Sequence, residues 1–268
     1  MRFSSIGSGS AGNGLVVEQS STRLLLDCGF GLRDTEQRLA RIGLSPDQLT
    51  GILITHEHED HAGGVFKLAR KYRMPVWLTH GTLKMIERIL PTKPLDLRII
   101  DSHSKFNINE IEVTPFPVPH DAREPVQYTF SNGDKKLGVL TDTGCSTPHI
   151  QEMLNGCHGL MLECNHDIDI LMNGIYPMSL KQRVSGRLGH LDNKSAAGIL
   201  SNLDNGYLKH IVAAHLSEKN NRPELAINAL SSALNCERDW ISIASQETGF
   251  NWREIKTGVT FKMRMHKR

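Results

Sequence analysis

One ten-residue segment carries more structural information than any other in the chain: Thr55-His56-Glu57-His58-Glu59-Asp60-His61-Ala62-Gly63-Gly64. It lies between an apolar strand candidate, Gly51–Ile54, and a helix candidate, Val65–Tyr72. Imidazole nitrogens and carboxylate oxygens are the ligands that borderline divalent metals prefer. The pattern H-x-H-x-D-H supplies four of them within six residues, more than one ion takes from a short loop. The segment therefore predicts a site for two metal ions.

The two histidines His56 and His58 set a condition on the path of this loop. Side chains two residues apart in an extended chain point to opposite sides, so they meet at one ion only if the loop curls. The pair Gly63-Gly64 allows a tight path, because glycine adopts backbone conformations that other residues avoid. We therefore expect a tightly folded loop that leads into a helix.

Three further candidate ligands each stand just past an apolar run. They are His120, Asp142 and His215, and each preceding run has the composition of a buried strand. A lone histidine at a strand end is usually structural, but three such positions together with the H-x-H-x-D-H pattern favour one shared site. Open α/β sheets place their sites at the carboxyl ends of strands. We therefore expect these residues to join the cluster.

Composition places the chain among folded, water-soluble proteins. Of its 268 residues, 39% are hydrophobic and 22% are charged, and no run reaches the ~18 consecutive apolar residues that a membrane helix needs. The N-terminus lacks the apolar core of a signal peptide, and the five cysteines show no C-x-x-C spacing. We expect a cytoplasmic protein with reduced thiols and no membrane partner. The formal net charge of +2 does not by itself indicate a nucleic-acid partner.

Strand and helix candidates alternate along the chain, and some strands pair as hairpins. The clearest hairpin has Asn132-Gly133 at its turn. The helix candidates beyond Val65–Tyr72 are Asp34–Arg41, Leu83–Leu90, Leu180–Arg187, Ser195–Leu203 and Glu224–Leu234. Hairpins mixed with strand–helix alternation predict an α/β (α+β) fold in which helices pack on mixed sheets.

Five motifs, taken in chain order, resemble those of the metallo-β-lactamase superfamily. They are Asp27 in Leu26-Asp27-Cys28-Gly29, the H-x-H-x-D-H pattern, His120, Asp142 and His215. The match runs from Gly7 to about Ser217. The resemblance implies a four-layer αβ/βα sandwich with two mixed sheets and a site at one edge between them. It also implies one hydrolase domain over residues 1–268.

The resemblance assigns a role to each motif residue. Six of them would divide between two metal ions: His56, His58 and His120 on the first, and Asp60, His61 and His215 on the second. Asp142 would bridge both ions, and Asp27 would orient a ligand histidine through a hydrogen bond. The ions implied are zinc or manganese, with iron also compatible, because His-rich dinuclear sites accept several metals.

Local features of the sequence indicate which branch of the superfamily the chain resembles. Asp142 stands where the main zinc-cysteine β-lactamases carry cysteine, and the 73 residues from it to His215 are too few for the inserted cap domain of β-CASP nucleases. The Gly/Pro-rich arm of many RNase Z enzymes is also not evident. Four strings instead resemble the YycJ/WalJ branch of bacterial exonucleases: GSGSAGN at 7–13, ECNHD at 163–167, GHLDN at 189–193 and HLSEKNN at 215–221.

That branch implies a phosphodiesterase acting on nucleic acid, on DNA rather than RNA, as a 5′→3′ exonuclease. A hydroxide that bridges the metals would be the nucleophile, and Asp60 would accept a hydrogen bond from it. His190 resembles the general acid of RNase Z relatives, with Glu163 as its orienting partner. A helix that holds Arg183 and Arg187 four residues apart would place both on one face, where they could contact phosphates.

Other hypotheses stay open on the sequence alone. One is a small-molecule hydrolase of the same fold, for a cyclic phosphodiester or for a thioester as in glyoxalase II, and a ribonuclease is a related alternative. Another is a non-enzymatic scaffold that binds RNA or protein and holds structural metals. The metal, the direction of cleavage and the oligomeric state do not follow from the residues.

Overall fold

The computed structural model describes residues 1–87 and 94–256. The strands in these ranges are β1 Arg2–Gly7, β2 Gly14–Gln19, β3 Thr22–Leu26, β4 Gly51–Leu53, β5 Val76–Thr79, β6 Leu97–Ile100, β7 Phe106–Ile108, β8 Ile111–Pro117, β9 Val126–Ser131, β10 Lys136–Leu140, β11 Gly159–Glu163, β12 His210–Ala214, β13 Ile241–Ile243 and β14 Phe250–Glu254. The α-helices are α1 Leu32–Arg41, α2 Glu59–Ala62, α3 Val65–Tyr72, α4 His80–Ile86, α5 Pro148–Leu154, α6 Ile168–Asn173, α7 Met178–Val184, α8 Asn193–Asn202 and α9 Pro223–Leu234.

The strands form two mixed sheets of seven strands each. The first has the order β14-β1-β2-β3-β4-β5-β6, and the second has the order β13-β12-β11-β10-β9-β8-β7. Strands β3 to β6 run parallel in the first sheet, and strands β10 to β13 run parallel in the second. Because parallel strands end at the same edge of a sheet, the residues that follow them are brought close together.

Three groups of buried apolar side chains show how the layers pack. The first lies between the sheets and joins Phe3 and Val17 of one sheet to Tyr128 and Val212 of the other. The second joins the second sheet to α5, α8 and α9, and the third joins the first sheet to α1, α3 and α4. The order of layers is therefore helices, sheet, sheet, helices, which confirms the four-layer αβ/βα sandwich. Within the described ranges, no helix combines the length and the apolar character that crossing a membrane requires.

Most predicted helices are present with shifted ends. Helix α4 starts three residues before the predicted Leu83, because the Thr79 side chain accepts a hydrogen bond from the Thr82 N–H and caps the helix. The end of that prediction, residues 88–90, lies outside the described residues. Helices α5 and α6 were missed, although each begins after a capping residue, Thr147 and Asp167 respectively.

Helix α7 differs from its prediction in a way that shapes the site. The prediction of one helical face that presents both Arg183 and Arg187 is wrong, because α7 ends at Val184. The chain turns back there, and the His190 N–H donates to the Val184 carbonyl at 2.8 Å. Gly189 fits against this helix end, since a Cβ on it would lie 2.2 Å from the same carbonyl oxygen. The turn directs the following residues toward the carboxyl end of β11.

Two glycines allow the H-x-H-x-D-H loop to pack against the segment after β3. A Cβ on Gly29 would lie 2.0 Å from the Asp60 carbonyl oxygen, and one on Gly64 would lie 1.9 Å from the Phe30 carbonyl oxygen. The Gly64 N–H also donates to the Cys28 carbonyl at 2.7 Å. The neighbours are backbone atoms held by hydrogen bonds, so they cannot move aside for a methyl group.

Replacing Gly64 by alanine is therefore expected to lower the free energy of unfolding by about 3 kcal/mol. Gly31→Ala is the matched control, because no atom lies within 4 Å of the place where its Cβ would be. That control is expected to change stability by less than about 1 kcal/mol. Urea unfolding of the metal-free proteins, followed by circular dichroism, measures both values. Equal stability of the two variants would contradict the close backbone approach.

Candidate metal centre

The H-x-H-x-D-H loop leaves β4, curls and enters α2. His58 directly precedes α2, and its carbonyl accepts a hydrogen bond from the His61 N–H at 3.0 Å. The Cys28 N–H donates to the His61 carbonyl at 2.7 Å, and the Asn13 N–H donates to the Asp60 carbonyl at 2.8 Å. Backbone contacts from two neighbouring loops thus hold the segment, and the expected tight path is confirmed.

Three histidine rings converge at the first position of the candidate centre. His56 Nε2 lies 3.0 Å from His58 Nδ1, which lies 3.3 Å from His120 Nε2. One nitrogen from each ring lies within 4.8 Å of the others. His56 and His120 are buried, whereas His58 is partly exposed. The structure therefore brings together the three histidines that the family resemblance groups on one ion.

A second position is formed by Asp60, His61 and His215, whose nitrogen and oxygen atoms also approach within 4.8 Å of one another. Nε2 of each histidine lies 3.4 Å from Asp60 Oδ2. Asp142 lies between the two positions, because its Oδ2 is 3.0 Å from His61 Nε2 and its carboxylate also groups with His56. All seven candidate ligands are thus gathered at one edge of the sandwich.

Hydrogen bonds around the rings leave a lone pair on the nitrogen that faces the centre. The single proton of the Thr55 hydroxyl is donated to Asp27. Toward His56 the hydroxyl can therefore only accept, and it accepts a hydrogen bond from His56 Nδ1 at 2.9 Å. His61 Nδ1 donates to Asp27 Oδ2 at 2.8 Å, and His120 Nδ1 donates to a backbone carbonyl at 3.0 Å. In each ring the outer Nδ1 is the nitrogen whose proton is held by a hydrogen bond, and Nε2 faces the centre. This is the tautomer that a metal-binding histidine needs.

The centre brings these inward-facing nitrogens close to carboxylates. Such groups repel one another unless a cation lies between them. Asp142 Oδ2 is buried, and among the described residues nothing donates a hydrogen bond to it. Burial alone would lower the pKa of His61, yet Asp142, Asp60 and Asp27 raise it well above its ordinary value. The centre therefore attracts positive charge, and its nitrogen and oxygen atoms fit divalent cations.

The two positions differ in their electrostatics. Burial, together with the charge on His61, holds the pKa of His56 well below its ordinary value, and burial also lowers the pKa of His120. At the second position burial opposes protonation, but Asp142, Asp60 and a neighbouring glutamate raise the pKa of His215 to about 10. The two buried histidines of the first position, His56 and His120, therefore favour the neutral form, while the second position is rich in carboxylate charge.

Three residues of the centre have a left-handed backbone at the end of a strand. The φ angles are 60° at Asp27, 50° at Asp142 and 54° at His215. Aspartate and histidine enter this region more easily than most residues do, but it still costs about 1 kcal/mol or more. The sharp turn ends each strand and directs the side chain across the sheet edge. The strained backbone positions are therefore those of residues that form the centre.

A buried ion pair borders the cluster. His190 Nδ1 lies 2.8 Å from Glu163 Oε1 and 3.4 Å from Asp142 Oδ1. The other oxygen of Glu163 accepts hydrogen bonds from the Thr143 and Leu191 N–H groups. Burial would raise the pKa of Glu163, but the charge on His190 lowers that pKa to about 2. Burial would lower the pKa of His190, but the Glu163 carboxylate raises it above the ordinary value for histidine. The pair therefore favours a protonated imidazole beside the candidate ligands.

Arg183 and Arg187 lie at the rim of the centre, on different turns of the chain. The Arg183 Nε donates to Asp121 Oδ2 at 2.7 Å, next to His120 in the chain. The Arg187 side chain is exposed, and its backbone packs against Gly144, where a Cβ would lie 2.3 Å from the Arg187 carbonyl carbon. Both arginines border the centre, but they do not form the single helical face expected from their spacing.

Sequence reasoning missed several residues that hold the candidate ligands. Ser8 Oγ accepts a hydrogen bond from the His215 N–H at 3.0 Å and donates to Asn13 Oδ1 at 3.1 Å. Asn13 Nδ2 lies 3.1 Å from His61 Nε2 and donates to Asp60 Oδ2 at 3.3 Å. Asn13 also holds its own loop, because its Oδ1 accepts a hydrogen bond from the Gly9 N–H at 2.9 Å and its Nδ2 donates to the Gly9 carbonyl at 3.1 Å. The available sequence signal is position alone, because Ser8 and Asn13 lie in the Gly-rich segment after β1.

Comparison with known families identifies the fold and its motifs. Residues 22–216 match the sequence model described as "Beta-lactamase superfamily domain", a range that contains every motif residue from Asp27 to His215. The chain belongs to the beta-lactamase superfamily. The membership indicated by the five motifs is therefore confirmed.

This beta-lactamase superfamily member has relatives of nearly its own length. It is 38% identical over 235 residues to the exodeoxyribonuclease YycJ of Bacillus anthracis, covering 87% of the chain and 89% of the relative. It is 36% identical over 239 residues to the exodeoxyribonuclease WalJ of Streptococcus pneumoniae serotype 2, with the same coverage. The crystal structure of Zn²⁺-bound PqqB from Methylobacterium extorquens shares the fold, with a TM-score of 0.74 and 16% identity over 95% of this chain and 100% of PqqB. The resemblance to the YycJ/WalJ branch is thus confirmed.

Proposed function

We propose that this chain is a dinuclear metal-dependent phosphodiesterase that degrades DNA as a 5′→3′ exonuclease, with one hydrolase domain over residues 1–268. The two relatives named exodeoxyribonuclease support nuclease chemistry, since nearly the full length of each is matched. The 5′→3′ direction is the one implied by the resemblance to this branch. DNA is favoured over RNA for the same reason.

The single observation that favours phosphodiester cleavage is the His190–Glu163 pair beside Asp142. A nucleotide alkoxide is a poor leaving group, so a protonated side chain at this place has a catalytic use. A thiolate leaves from a thioester without a proton, so a glyoxalase-like reaction does not need such a pair. The 2.8 Å contact to a fully buried carboxylate keeps the imidazole protonated and oriented.

The proposed ligands divide as the geometry groups them: His56, His58 and His120 on one cation, and Asp60, His61 and His215 on the other. Asp142 contacts both positions, and Asp27 keeps the proton of His61 on the outer nitrogen. Bound divalent cations lower the pKa of a water molecule toward 7 and neutralise charge on a phosphate. Asp60 is partly exposed and is placed to accept a hydrogen bond from the attacking water. Zinc or manganese is favoured, and iron is compatible.

His190 is the proposed proton donor to the leaving 3′-oxygen. Its Nδ1 hydrogen is held by Glu163, so the other ring nitrogen is the one that can donate to substrate. Glu163 is a positioning residue, because it is buried and acts through His190. Bulk solvent can reprotonate the ring, whose side chain is 23% exposed.

The decisive experiment uses chelated protein reloaded separately with zinc, manganese or iron, with metal content measured by elemental analysis. We expect hydrolysis of single-stranded DNA by reloaded protein and none in the chelator. A 5′-labelled strand should release labelled mononucleotide at once, whereas a 3′-labelled strand should shorten progressively.

Matched substrates separate the competing functions. Oligoribonucleotide, bis-p-nitrophenyl phosphate and S-lactoylglutathione report RNA, simple phosphodiester and thioester cleavage. Thioester cleavage without phosphodiester cleavage would contradict the proposal, and so would metal-loaded protein that hydrolyses none of these substrates. Faster cleavage of RNA than of DNA would replace the exodeoxyribonuclease by a ribonuclease.

A further inference from the structure

The glycine-rich segment after β1 has no part in the proposed chemistry, although it carries two buried polar side chains. We call residues 8–13 the glycine-rich loop, and it joins β1 to β2. Within it, Ser8 is 1% exposed and Asn13 is 6% exposed. A buried hydroxyl or amide costs free energy unless it is hydrogen-bonded, so the partners of these two side chains indicate what the loop does.

Asn13 reaches the second group of candidate ligands directly. Its Nδ2 lies 3.1 Å from His61 Nε2 and donates a hydrogen bond to Asp60 Oδ2 at 3.3 Å. Both residues belong to the second group, with His215 as the third member. The two hydrogen bonds between the Asn13 amide and the backbone of Gly9 fix which end of the amide faces the ligands. Asn13 therefore presents an N–H group, which can orient the ligands but cannot itself bind a cation.

Ser8 extends the contact of the loop to the rest of this group. Its Oγ accepts a hydrogen bond from the His215 N–H at 3.0 Å and donates to Asn13 Oδ1 at 3.1 Å. The Asn13 N–H also donates to the Asp60 carbonyl at 2.8 Å. The glycine-rich loop thus contacts all three ligands of the second group.

The first group of candidate ligands has other supports. The outer nitrogens of His56 and His120 donate to the Thr55 hydroxyl and to the Gly189 carbonyl. Throughout residues 1–87 and 94–256, the glycine-rich loop makes no hydrogen bond to His56, His58 or His120. The loop therefore supports one of the two positions and not the other.

The far side of the loop is fixed by a segment from the other end of the chain. Gln246 Oε1 accepts a hydrogen bond from the Ala11 N–H at 2.8 Å, and Gln246 Nε2 donates to the Gly12 carbonyl at 2.9 Å. Arg38 of α1 in turn donates to the Gln246 carbonyl at 3.1 Å. Because the loop is held on both sides, it fixes the ligands in place and does not simply follow them.

Orientation matters at the second position because that position is rich in carboxylate charge. Asp60 and Asp142 both approach His61 Nε2, at 3.4 Å and 3.0 Å respectively. A hydrogen bond donated to Asp60 orients its carboxylate and offsets part of its charge. Outer partners that orient metal ligands in this way typically contribute about tenfold to hundredfold to metal affinity.

We propose that the glycine-rich loop sets the affinity of the second cation position alone, with Asn13 as the positioning residue that holds Asp60 and His61 in their binding geometry. The inference rests on the proposed function for its two-cation centre. It goes beyond that function by separating the binding of the second cation from the binding of the first. The first cation binds without help from the loop, whereas the change from one bound cation to two depends on it.

The test measures metal binding by Asn13→Ala and by a matched control, Asn205→Ala. Asn205 Nδ2 donates to the Leu200 carbonyl at 2.6 Å, so the control also removes a hydrogen-bonded asparagine, in the turn that leads away from α8. Metal-free proteins are titrated with zinc in competition with a chromophoric chelator, and elemental analysis at fixed free zinc gives the stoichiometry. We expect N13A to raise the dissociation constant of the second zinc ion about tenfold to hundredfold and to leave that of the first unchanged. Asn205→Ala should bind both ions as the wild type does.

A second variant, Gln246→Ala, tests the loop without altering any residue that contacts a ligand. It removes the hydrogen bonds to Ala11 and Gly12, so it should weaken the second zinc ion selectively and by a smaller factor than N13A. Thermal unfolding of the metal-free proteins checks that each variant folds. In saturating zinc, N13A should hydrolyse bis-p-nitrophenyl phosphate at close to the wild-type rate, because excess metal restores the second cation.

The possible outcomes separate the loop from the proposed function. Equal loss of affinity for both ions in N13A would overturn the proposal, because it would show a general loss of structure. Unchanged or tighter binding of the second ion would also overturn it, and so would a loss of rate that saturating zinc does not restore. Wild-type protein that binds two zinc ions but cleaves no phosphodiester contradicts the proposed function and leaves the role of the loop standing. Wild-type protein that binds a single zinc ion overturns the two-cation centre, and the loop proposal with it.

Discussion

Replacing Asp142 by asparagine is expected to lower kcat on single-stranded DNA by at least about a thousandfold, a loss of about 4 kcal/mol of transition-state stabilisation. Asp142 lies between the two ligand groups, because its Oδ2 is 3.0 Å from His61 Nε2 of the second group and its carboxylate also groups with His56 of the first. Asparagine preserves the shape but removes the negative charge that offsets two cations. Steady-state kinetics and elemental analysis should show the loss of rate together with a loss of bound metal.

Asp121→Asn provides a matched control for that substitution. Asp121 also borders the histidines, but its carboxylate is more exposed and pairs with Arg183. We expect this control to bind metal normally and to change kcat little. Thermal unfolding of the metal-free proteins checks that D142N folds. A second variant, Asp142→Glu, keeps the negative charge of the carboxylate. Wild-type rate and full metal content in D142N would contradict a shared carboxylate between two cations.

Replacing His190 by alanine is expected to lower kcat on DNA by about a hundredfold to ten-thousandfold. The same variant should hydrolyse bis-p-nitrophenyl phosphate at close to the wild-type rate. The physical reason is the leaving group, because p-nitrophenolate is a stable anion that departs without a proton, whereas a nucleotide 3′-oxygen needs one. Kinetics on the two substrates with the same metal-loaded enzyme measure the difference.

His149→Ala controls for the loss of a histidine, since His149 is exposed on α5. It is expected to leave both rates unchanged. Glu163→Gln should show the substrate pattern of His190→Ala with a smaller loss, because the amide oxygen still accepts from Nδ1 but no longer stabilises the imidazolium. Equal losses on both substrates for His190→Ala would point to a structural or metal-related role instead of proton donation.

Much of the fold could be predicted from local patterns. Helix α3 has the predicted bounds, Val65–Tyr72, and the predicted hairpin turn at Asn132-Gly133 joins β9 to β10. Strand β14 was missed, since what makes it a strand is its pairing with β1 across more than 240 residues. No feature within Phe250–Glu254 signals that partner. Strands that form because they pair with a segment distant in sequence are therefore not predicted from local sequence patterns.

The candidate site was more predictable than the elements around it. His120, Asp142 and His215 were expected near the H-x-H-x-D-H loop because each follows a strand, and the structure brings them there. The contacts that orient them were not predictable in the same way. The His120 proton is held by the Gly189 carbonyl, which depends on where α7 ends. That end is set by packing, and the arginine spacing alone suggested one more helical turn.

The chemistry of the centre follows from the sequence by itself, because ligand types and their spacing within one short loop are local properties. Those motifs carry the resemblance to the superfamily, and the resemblance in turn implied the two ligand sets and the His190–Glu163 pair. Only the tertiary structure decided which nitrogen of each ring faces inward and how Ser8, Asn13 and Thr55 hold the cluster. These features depend on backbone groups from distant segments that meet only after the two sheets have packed, so no spacing along the chain encodes them.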